Sequence, residues 1–219
     1  MQGLIDTLKL GYLVKNFDTV AMRFGEHLRL TLIALVIALA IALPVGVLIT
    51  RVKQLEAPVM SVLGVLYTIP SLALLVLLIP FVGLGADNAI IVLVVYAQVI
   101  LVRNIVVGLN GVDADVLEAA RGMGMSGWQR LIRVELPLAL PVILAGVRIA
   151  TVTIVGIATV AGLVNAGGLG RLLFDGVSRA YDQQIIAGSL GAALLAALAN
   201  GVLHVLERRA SLAIKGDVG

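Results

Sequence analysis

The sequence contains no cysteine and few charged or aromatic residues, and each shortage excludes a class of protein. Without cysteine the chain forms no disulfide and no thiolate metal site. Charged residues make up 13% of the 219 residues and aromatic residues 4%, and no basic run is interleaved with aromatics, so nucleic-acid binding is not indicated. The two histidines, His27 and His204, have no partners at metal-ligand spacing. We expect His204 to be structural, and we predict no metal site.

Residues for enzymatic chemistry are also scarce. The carboxylates are scattered through loops, and no nucleophile is accompanied by a base. The glycine-rich stretch 165–170 lacks the lysine and the serine or threonine of a Walker A loop, so we reject a phosphate site there. Its glycines instead predict a tight re-entrant turn, with Leu172, Leu173 and Phe174 lying along the outer face. We expect no catalytic residue and no cofactor in this chain.

Apolar sequence, in contrast, is abundant. Hydrophobic residues make up 60% of the chain and the mean hydropathy is +1.09, which indicates that the bilayer is its solvent. Five apolar stretches are long enough to cross the hydrocarbon core as helices. They cover residues 28–50, 58–81, 89–108, 138–164 and 185–206. The sequence therefore predicts an all-α polytopic membrane protein with about five transmembrane helices.

Positive charges assign the connections to the two sides of the membrane. Lysine or arginine lies at the ends of the first, third and fifth stretches, whereas the connector 83–88 carries Asp87 and no positive charge. This alternation predicts a cytoplasmic C-terminus and an external N-terminus. Four positive residues near the N-terminus oppose that assignment: Lys9, Lys15, Arg23 and Arg29.

The same pattern divides the chain into three parts. Residues 1–26 mix charges with apolar residues, and we expect an amphipathic segment with Leu4, Leu8, Tyr12 and Leu13 at the membrane interface. Residues 27–209 form the transmembrane domain, and residues 210–219 form a cytoplasmic tail. We find no internal repeat and no second domain.

Four residues within the apolar stretches are unusual there. Pro70 and Pro80 interrupt the second stretch, either as ordinary membrane-helix prolines or as a hinge that lets the helix move. Arg103 lies near the cytoplasmic end of the third stretch, where we expect it to snorkel to the interface. Arg148 lies within the fourth, where snorkelling or pairing inside the bundle is favoured over substrate contact.

The polar segment 118–137 separates two apolar stretches and has an internal pattern of its own. One interpretation is a plain cytoplasmic loop, which would account for its arginines. However, Gly122 and Gly124 interrupt a helix-forming run, and Ser126 can cap a second helix. On that second helix an edge of the surface is formed by Trp128, Leu131, Ile132 and Glu135. An apolar edge on a loop without its own core suits a groove on another protein.

The segment resembles the EAA loop of ABC importer permeases. The match consists of six positions, with Val134 standing where isoleucine is commoner: Glu118, Ala119, Ala120, Gly124, Leu136 and Pro137. The resemblance implies that the loop 113–137, including Trp128, docks as a coupling helix into a groove of an ATPase subunit. Because the chain has no Walker A loop, ATP would be hydrolysed by a separate partner chain.

A wider resemblance covers roughly residues 26–209. The stretches 67–74, 103–104, 134–141 and 166–170 are similar to permeases of osmoprotectant importers for glycine betaine, choline or carnitine. This resemblance implies the type I, methionine-permease-like importer fold in a bacterial cytoplasmic membrane. It also implies two ATPase subunits, a second permease copy or paralogue, and an extracytoplasmic binding protein that selects the quaternary amine through an aromatic cage.

Within that framework, we name four residues as candidates for the pathway or its gate: Tyr67, Pro70, Ser71 and Arg148. Three alternatives to the osmoprotectant permease stay open. The first is a permease for methionine or for another betaine such as ergothioneine. The second is a stand-alone channel or secondary transporter, which predicts midplane charges and paired repeats. The third, a membrane enzyme, has no site to support it.

Overall fold

The computed structural model describes residues 9–216, with side chains described as far as Leu212. Within that range every regular element is a helix, which confirms the all-α prediction. The helices are α1 (Gly11–Lys15), α2 (Phe17–Arg51), α3 (Glu56–Thr68), α4 (Ser71–Val82), α5 (Ala86–Asn110), α6 (Ala114–Gly122), α7 (Gly127–Arg130), α8 (Leu136–Val160), α9 (Gly168–Ser178) and α10 (Asp182–Gly216). A π-helical turn, Leu131–Glu135, joins α7 to α8.

Four helical segments of the described range are long and apolar enough to cross a bilayer. They are Phe17–Arg51, Ala86–Asn110, Gly127–Val164 and Asp182–Leu212. Helices α3 and α4 are bent by 93° between Thr68 and Ser71, and they make a fifth crossing when the pair is counted as one span. The prediction of about five transmembrane helices is therefore confirmed.

The helix boundaries differ from the predicted ones in three places. Helix α2 begins at Phe17 rather than at residue 28, so it continues through residues assigned to the amphipathic segment. Leu4 and Leu8 of that segment lie outside the described residues. Helix α10 likewise continues through the predicted tail to Gly216. Both extensions contain alanine, arginine and glutamate, which are good helix formers, so the helix continues past the apolar stretch.

The two prolines of the second stretch behave differently. Pro80 gives the third difference from the predicted boundaries, because the helix continues through it. Pro70 disfavours helical geometry at the residue before it, and Ile69 has an extended ψ of 127°, which ends α3. Pro80 lies inside α4, and the helix continues past it to Val82. The predicted interruption at Pro80 is therefore wrong. Its missing N–H costs one hydrogen bond within the last turn, which the flanking bonds tolerate.

The core lies where α2, α5 and α8 pack together. On α2, small residues recur every fourth position, and Ala34, Ala38 and Ala42 are fully buried. At Gly46, an added Cβ would lie 2.5 Å from a methyl carbon of Ile105 on α5. Small residues at this spacing let membrane helices approach closely, so that backbone packing replaces the hydrophobic effect as the stabilising force.

Hydrogen bonds and ion pairs assign the connections to two ends of the bundle. At one end, which we call the loop end, Arg51 at the end of α2 contacts Glu135 beside the loop 113–137. At the other, the far end, the amide of Gly85 donates to the carbonyl of Val164 at 2.8 Å. Lys9 and Asp182 also pair at the far end. Successive connections thus alternate between the ends, as predicted.

The three residues after the glycine-rich turn, Leu172, Leu173 and Phe174, differ in their burial. Leu172 on α9 is only 3% exposed and packs against Val20 and Ala187, whereas Leu173 and Phe174 are half-buried. Their position along the outer face of the membrane stays a prediction. Helix α9 is amphipathic and sits against α2 and α10, so its apolar side turns inward.

Candidate functional site

The loop 113–137 folds as two short helices joined by a glycine turn, as the sequence predicts. Asp113 caps α6 by accepting a hydrogen bond from the amide of Asp115 at 2.8 Å. Gly124 has a left-handed φ of +78°, and the amide of Met125 then returns to the carbonyl of Ala120 at 3.2 Å. This is the C-terminal capping arrangement that glycine favours, because an L side chain is strained at that φ.

The second helix of the loop begins with a capping box. The Ser126 hydroxyl accepts from the amide of Gln129 at 3.3 Å, and the Gln129 side chain accepts from the Ser126 amide at 2.9 Å. The π-helical turn follows, in which the amide of Leu136 bonds to the carbonyl of Leu131. Pro137 follows as the second residue of α8, and it has no N–H to donate to the π turn before it.

The predicted apolar edge of the loop is divided into an exposed and a buried pair of residues. Trp128 and Ile132 are 69% and 45% exposed, but Leu131 and Glu135 are only 5% and 3% exposed. The prediction that all four share one face is therefore wrong. It assumed that residues three, four and seven positions apart face the same surroundings. Leu131 and Glu135, four residues apart, face the bundle, whereas Trp128 and Ile132, also four residues apart, face outward. The exposed surface formed by Trp128 and Ile132, which we call the loop face, has no partner within the described chain.

The motif residues at the start of the loop point in two directions. Glu118 and Ala119 are exposed on α6, whereas Ala120 is 1% exposed. At the other end of the motif, Leu136 is half-buried against the main core and Pro137 is exposed. The motif therefore combines residues that build the loop with residues that are free to contact another molecule.

An ion cluster that sequence reasoning missed ties the loop to the bundle. The buried carboxylate of Glu135 accepts from Nε of Arg130 at 2.9 Å and from Nη2 of Arg51 at the end of α2. A buried carboxylate needs such partners, because an unpaired one is costly away from water. A glutamate among arginines in a membrane-adjacent loop was the only signal in the sequence. The cluster fixes the loop to both α2 and α8.

Three of the candidate pathway residues lie together at the break between α3 and α4. Tyr67 is in the last turn of α3 and is 43% exposed, Pro70 is exposed, and Ser71 begins α4. The Tyr96 hydroxyl from α5 donates to the carbonyl of Ile69, which the break leaves without a helical partner. A broken helix in a membrane-spanning bundle is tolerated only where other protein groups or water satisfy its backbone.

Arg148 lies apart from the other three candidates. Its Nε donates to Glu207 at 2.9 Å and its Nη1 to the Asn200 side chain at 3.1 Å, both on α10. The favoured expectation of pairing inside the bundle agrees with this geometry. Its neighbour Ile149 lines a groove together with Tyr67. The structure thus places Arg148 as a link between α8 and α10.

The far end of the bundle is held by a contact between α2 and the glycine-rich turn. Glu26 accepts a hydrogen bond from the amide of Gly168 at 2.8 Å and another from Arg23, also at 2.8 Å. The adjacent His27 is fully buried, and its Nε2 donates to the carbonyl of Val155 at 3.2 Å. Beside this contact is an open cavity of about 460 Å³ with a charged rim: Arg23, Glu26, Arg29, Asp87 and Arg171.

These features define a class of protein. The chain is a polytopic helical bundle with a broken crossing and with a protruding, capped polar loop at one end. Within residues 9–216 no cluster of His, Asp and Glu side chains is suited to a metal ion. This architecture is typical of a membrane transport subunit.

Comparison with known proteins makes the assignment specific. Residues 42–212 match the family model described as the binding-protein-dependent transport system inner membrane component. This match covers most of the chain, so the chain belongs to that family of ABC importer permeases. It is a transport subunit, and its family works with a binding protein at a membrane.

Full-length relatives extend the comparison. The chain is 38% identical over 198 residues to the glycine betaine/carnitine/choline transport system permease protein OpuCB of Bacillus subtilis, covering 90% of this chain and 91% of that protein. It is 40% identical over 201 residues to the osmoprotectant import permease protein OsmW of Salmonella typhimurium, covering 90% and 94%. Among solved structures, an inward-facing MetNI methionine ABC transporter aligns with a TM-score of 0.82 at 27% identity, covering 90% of this chain and 98% of that one.

Proposed function

We propose that the chain forms one half of the translocation pathway of an importer for quaternary-amine osmoprotectants such as glycine betaine, carnitine or choline. The observation that carries this proposal is the full-length similarity to permeases named for those substrates. The methionine alternative is less well supported, because its representative shares the fold at 27% identity, against 38% for the osmoprotectant permease.

The proposed assembly contains two ATPase subunits, an external binding protein and a second permease copy or paralogue. The chain lies in the bacterial inner membrane as a multi-pass protein, with the loop end in the cytoplasm. ATP is hydrolysed in the separate ATPase chains. The charged rim of the far-end cavity, with Arg29 and Arg171, supports docking of the binding protein there.

In this proposal the ATPase binds the loop 113–137. Glu118, Ala119 and the loop face of Trp128 and Ile132 provide exposed contacts. Gly124 shapes the turn between the two helices, and Leu136 and Pro137 connect the loop to α8.

Movement of the loop then reaches the bundle by two routes, one covalent and one ionic. The covalent route is the unbroken helical segment Gly127–Val164, and the ionic route is the Glu135 cluster on α2. The α3–α4 break, with Tyr67, Pro70 and Ser71, gives the bundle a point at which alternating access opens the pathway.

Uptake measurements test the proposal. Cells without their own betaine importers receive this permease with its ATPase and binding protein, and uptake of labelled glycine betaine, choline, carnitine and methionine is compared. We expect uptake of at least one quaternary amine and none of methionine. Assembly of all subunits without any quaternary-amine uptake contradicts the proposal, and methionine uptake replaces it with the alternative.

A further inference from the structure

A groove of about 320 Å³ runs between α3, α5 and α8 on the side of the bundle that contains the broken crossing. Three polar side chains reach it: Tyr67, Arg103 and Asn104. The remaining wall is apolar and includes Val99 and Ile149. The volume lies at the lower limit of the range typical of small-molecule sites, and the mixture of apolar wall and few polar groups is typical of them too.

Arg103 has no ionic partner in the described part of the chain, although it lies within a membrane-spanning helix. It precedes the end of α5 at Asn110 by seven residues, or about 10 Å of helix. Its side chain is exposed. Arg148, by comparison, is paired with Glu207. The sequence predicts that the Arg103 guanidinium snorkels to the interface. The structure instead gives Arg103 a place in the wall of the groove beside Tyr67 and Asn104. An unpaired positive charge in the wall of a groove suits a negatively charged ligand.

The other side of the groove suits a cationic group that itself has no hydrogen-bond donors. Tyr67 exposes 43% of its surface, and an aromatic face attracts a quaternary ammonium group. Tyr67 also lies in the last turn of α3, where the helix dipole favours a cation. Asn104 uses its amide nitrogen to bond the carbonyl of Ile100 at 2.8 Å, which leaves its side-chain oxygen as an acceptor. The apolar wall at Val99 and Ile149 can contact methyl groups.

We propose that this groove holds the substrate during its passage, with a carboxylate at Arg103 and a trimethylammonium group against Tyr67. This inference rests on the proposed function and makes it more specific. A zwitterion such as glycine betaine or carnitine uses both ends of the groove, whereas choline has no carboxylate and uses only the Tyr67 end. The permease is therefore a second point of selection after the binding protein, and it favours zwitterions.

The test measures uptake and ATP hydrolysis together, in proteoliposomes that contain the permease, its ATPase and its binding protein. Arg103→Gln is compared with Arg209→Gln, which removes an exposed charge from α10 that has no ionic partner among the described residues. We expect Arg103→Gln to lower glycine betaine transported per ATP hydrolysed about tenfold, and Arg209→Gln to change it less than twofold. Choline uptake should fall less than threefold in either variant.

A second pair of variants addresses the aromatic end. Tyr67→Phe keeps the ring face and should retain transport within about twofold. Tyr67→Leu removes the ring and should lower uptake of both glycine betaine and choline about tenfold. Equal loss in the two variants would mean that the hydroxyl or the packing of Tyr67 matters, and would overturn its assignment to the ammonium group.

Three outcomes for Arg103→Gln overturn the groove as a substrate site. One is unchanged glycine betaine transport per ATP. Another is a parallel loss of uptake and ATP hydrolysis, which indicates a structural role. The third is a loss that appears only in vesicles rich in phosphatidylglycerol, which indicates that Arg103 holds a lipid phosphate. If the unaltered chain transports no quaternary amine, the proposed function fails and the groove assignment fails with it. If the unaltered chain transports normally and the substitutions do not change transport, only the groove assignment fails.

Discussion

At the scale of single residues, Gly124 sets the geometry of the loop that faces away from the bundle. Its φ of +78° lies in the left-handed region, and an added Cβ would meet nothing within 4 Å. Steric crowding of a side chain is therefore not the reason for glycine at this position. The requirement comes from the backbone, since this conformation costs an L residue about 1–2 kcal/mol.

Gly122, two residues earlier, provides a matched control. A Cβ added there would also meet open space, but Gly122 lies in α6 without a positive φ. We expect Gly124→Ala to uncouple ATP hydrolysis from uptake by changing the angle between α6 and α7, and Gly122→Ala to keep coupling. The ratio of substrate transported to ATP hydrolysed measures this. Equal effects of the two substitutions would show that the left-handed turn is not the reason for glycine at this position.

At the scale of elements, the loop helices could be predicted and the loop face could not. The turn residues Gly124 and Ser126 are local signals, because each acts through its own backbone within a few residues. Trp128 is exposed and Leu131 is buried although they lie only three residues apart, because the loop packs one side against the bundle. Periodicity alone assumes 3.6 residues per turn and assigns both to one surface.

The exposed part of that surface predicts how the loop binds its partner. Trp128 is 69% exposed at the loop end, and Phe81 is 79% exposed at the far end. Large aromatic residues often dominate protein interfaces, with losses of about 2 kcal/mol on truncation. We expect Trp128→Ala to weaken ATPase binding roughly 30-fold, and Phe81→Ala to leave it unchanged. Titration of the purified permease with labelled ATPase subunit measures both, and equal affinities would place the contact elsewhere on the loop.

At the scale of the whole molecule, the number of crossings followed from apolar length, but two features did not. Residues 17–27 mix charges with apolar side chains, so nothing local shows that α2 begins at Phe17. The pairing of Arg148 with Glu207 joins positions 59 residues apart, and the sequence offers no signal for a contact at that distance. Such contacts arise from the packing of α8 on α10 and become visible only in the folded bundle.

The absence of cysteine gives a direct measurement of orientation, because an introduced thiol is the only reactive one. Gln54 is exposed at the loop end, and Ser178 is exposed at the end of α9. We expect a membrane-impermeant maleimide to label Ser178→Cys in intact cells, and to label Gln54→Cys only after permeabilisation. The unaltered chain should remain unlabelled in both conditions. The opposite pattern would reverse the proposed orientation.

The π turn at Leu131–Glu135 also fixes a rotational phase between the loop and the membrane. Each residue of an α-helix turns the chain by about 100°. The additional residue in the wide turn therefore rotates Trp128 by that angle relative to Ala139 and Ile143, which lie in the core. With a regular helix in its place, the same side chains would remain, but Trp128 would point in a different direction around the bundle axis. The direction from which a partner approaches is thus set by one turn of backbone.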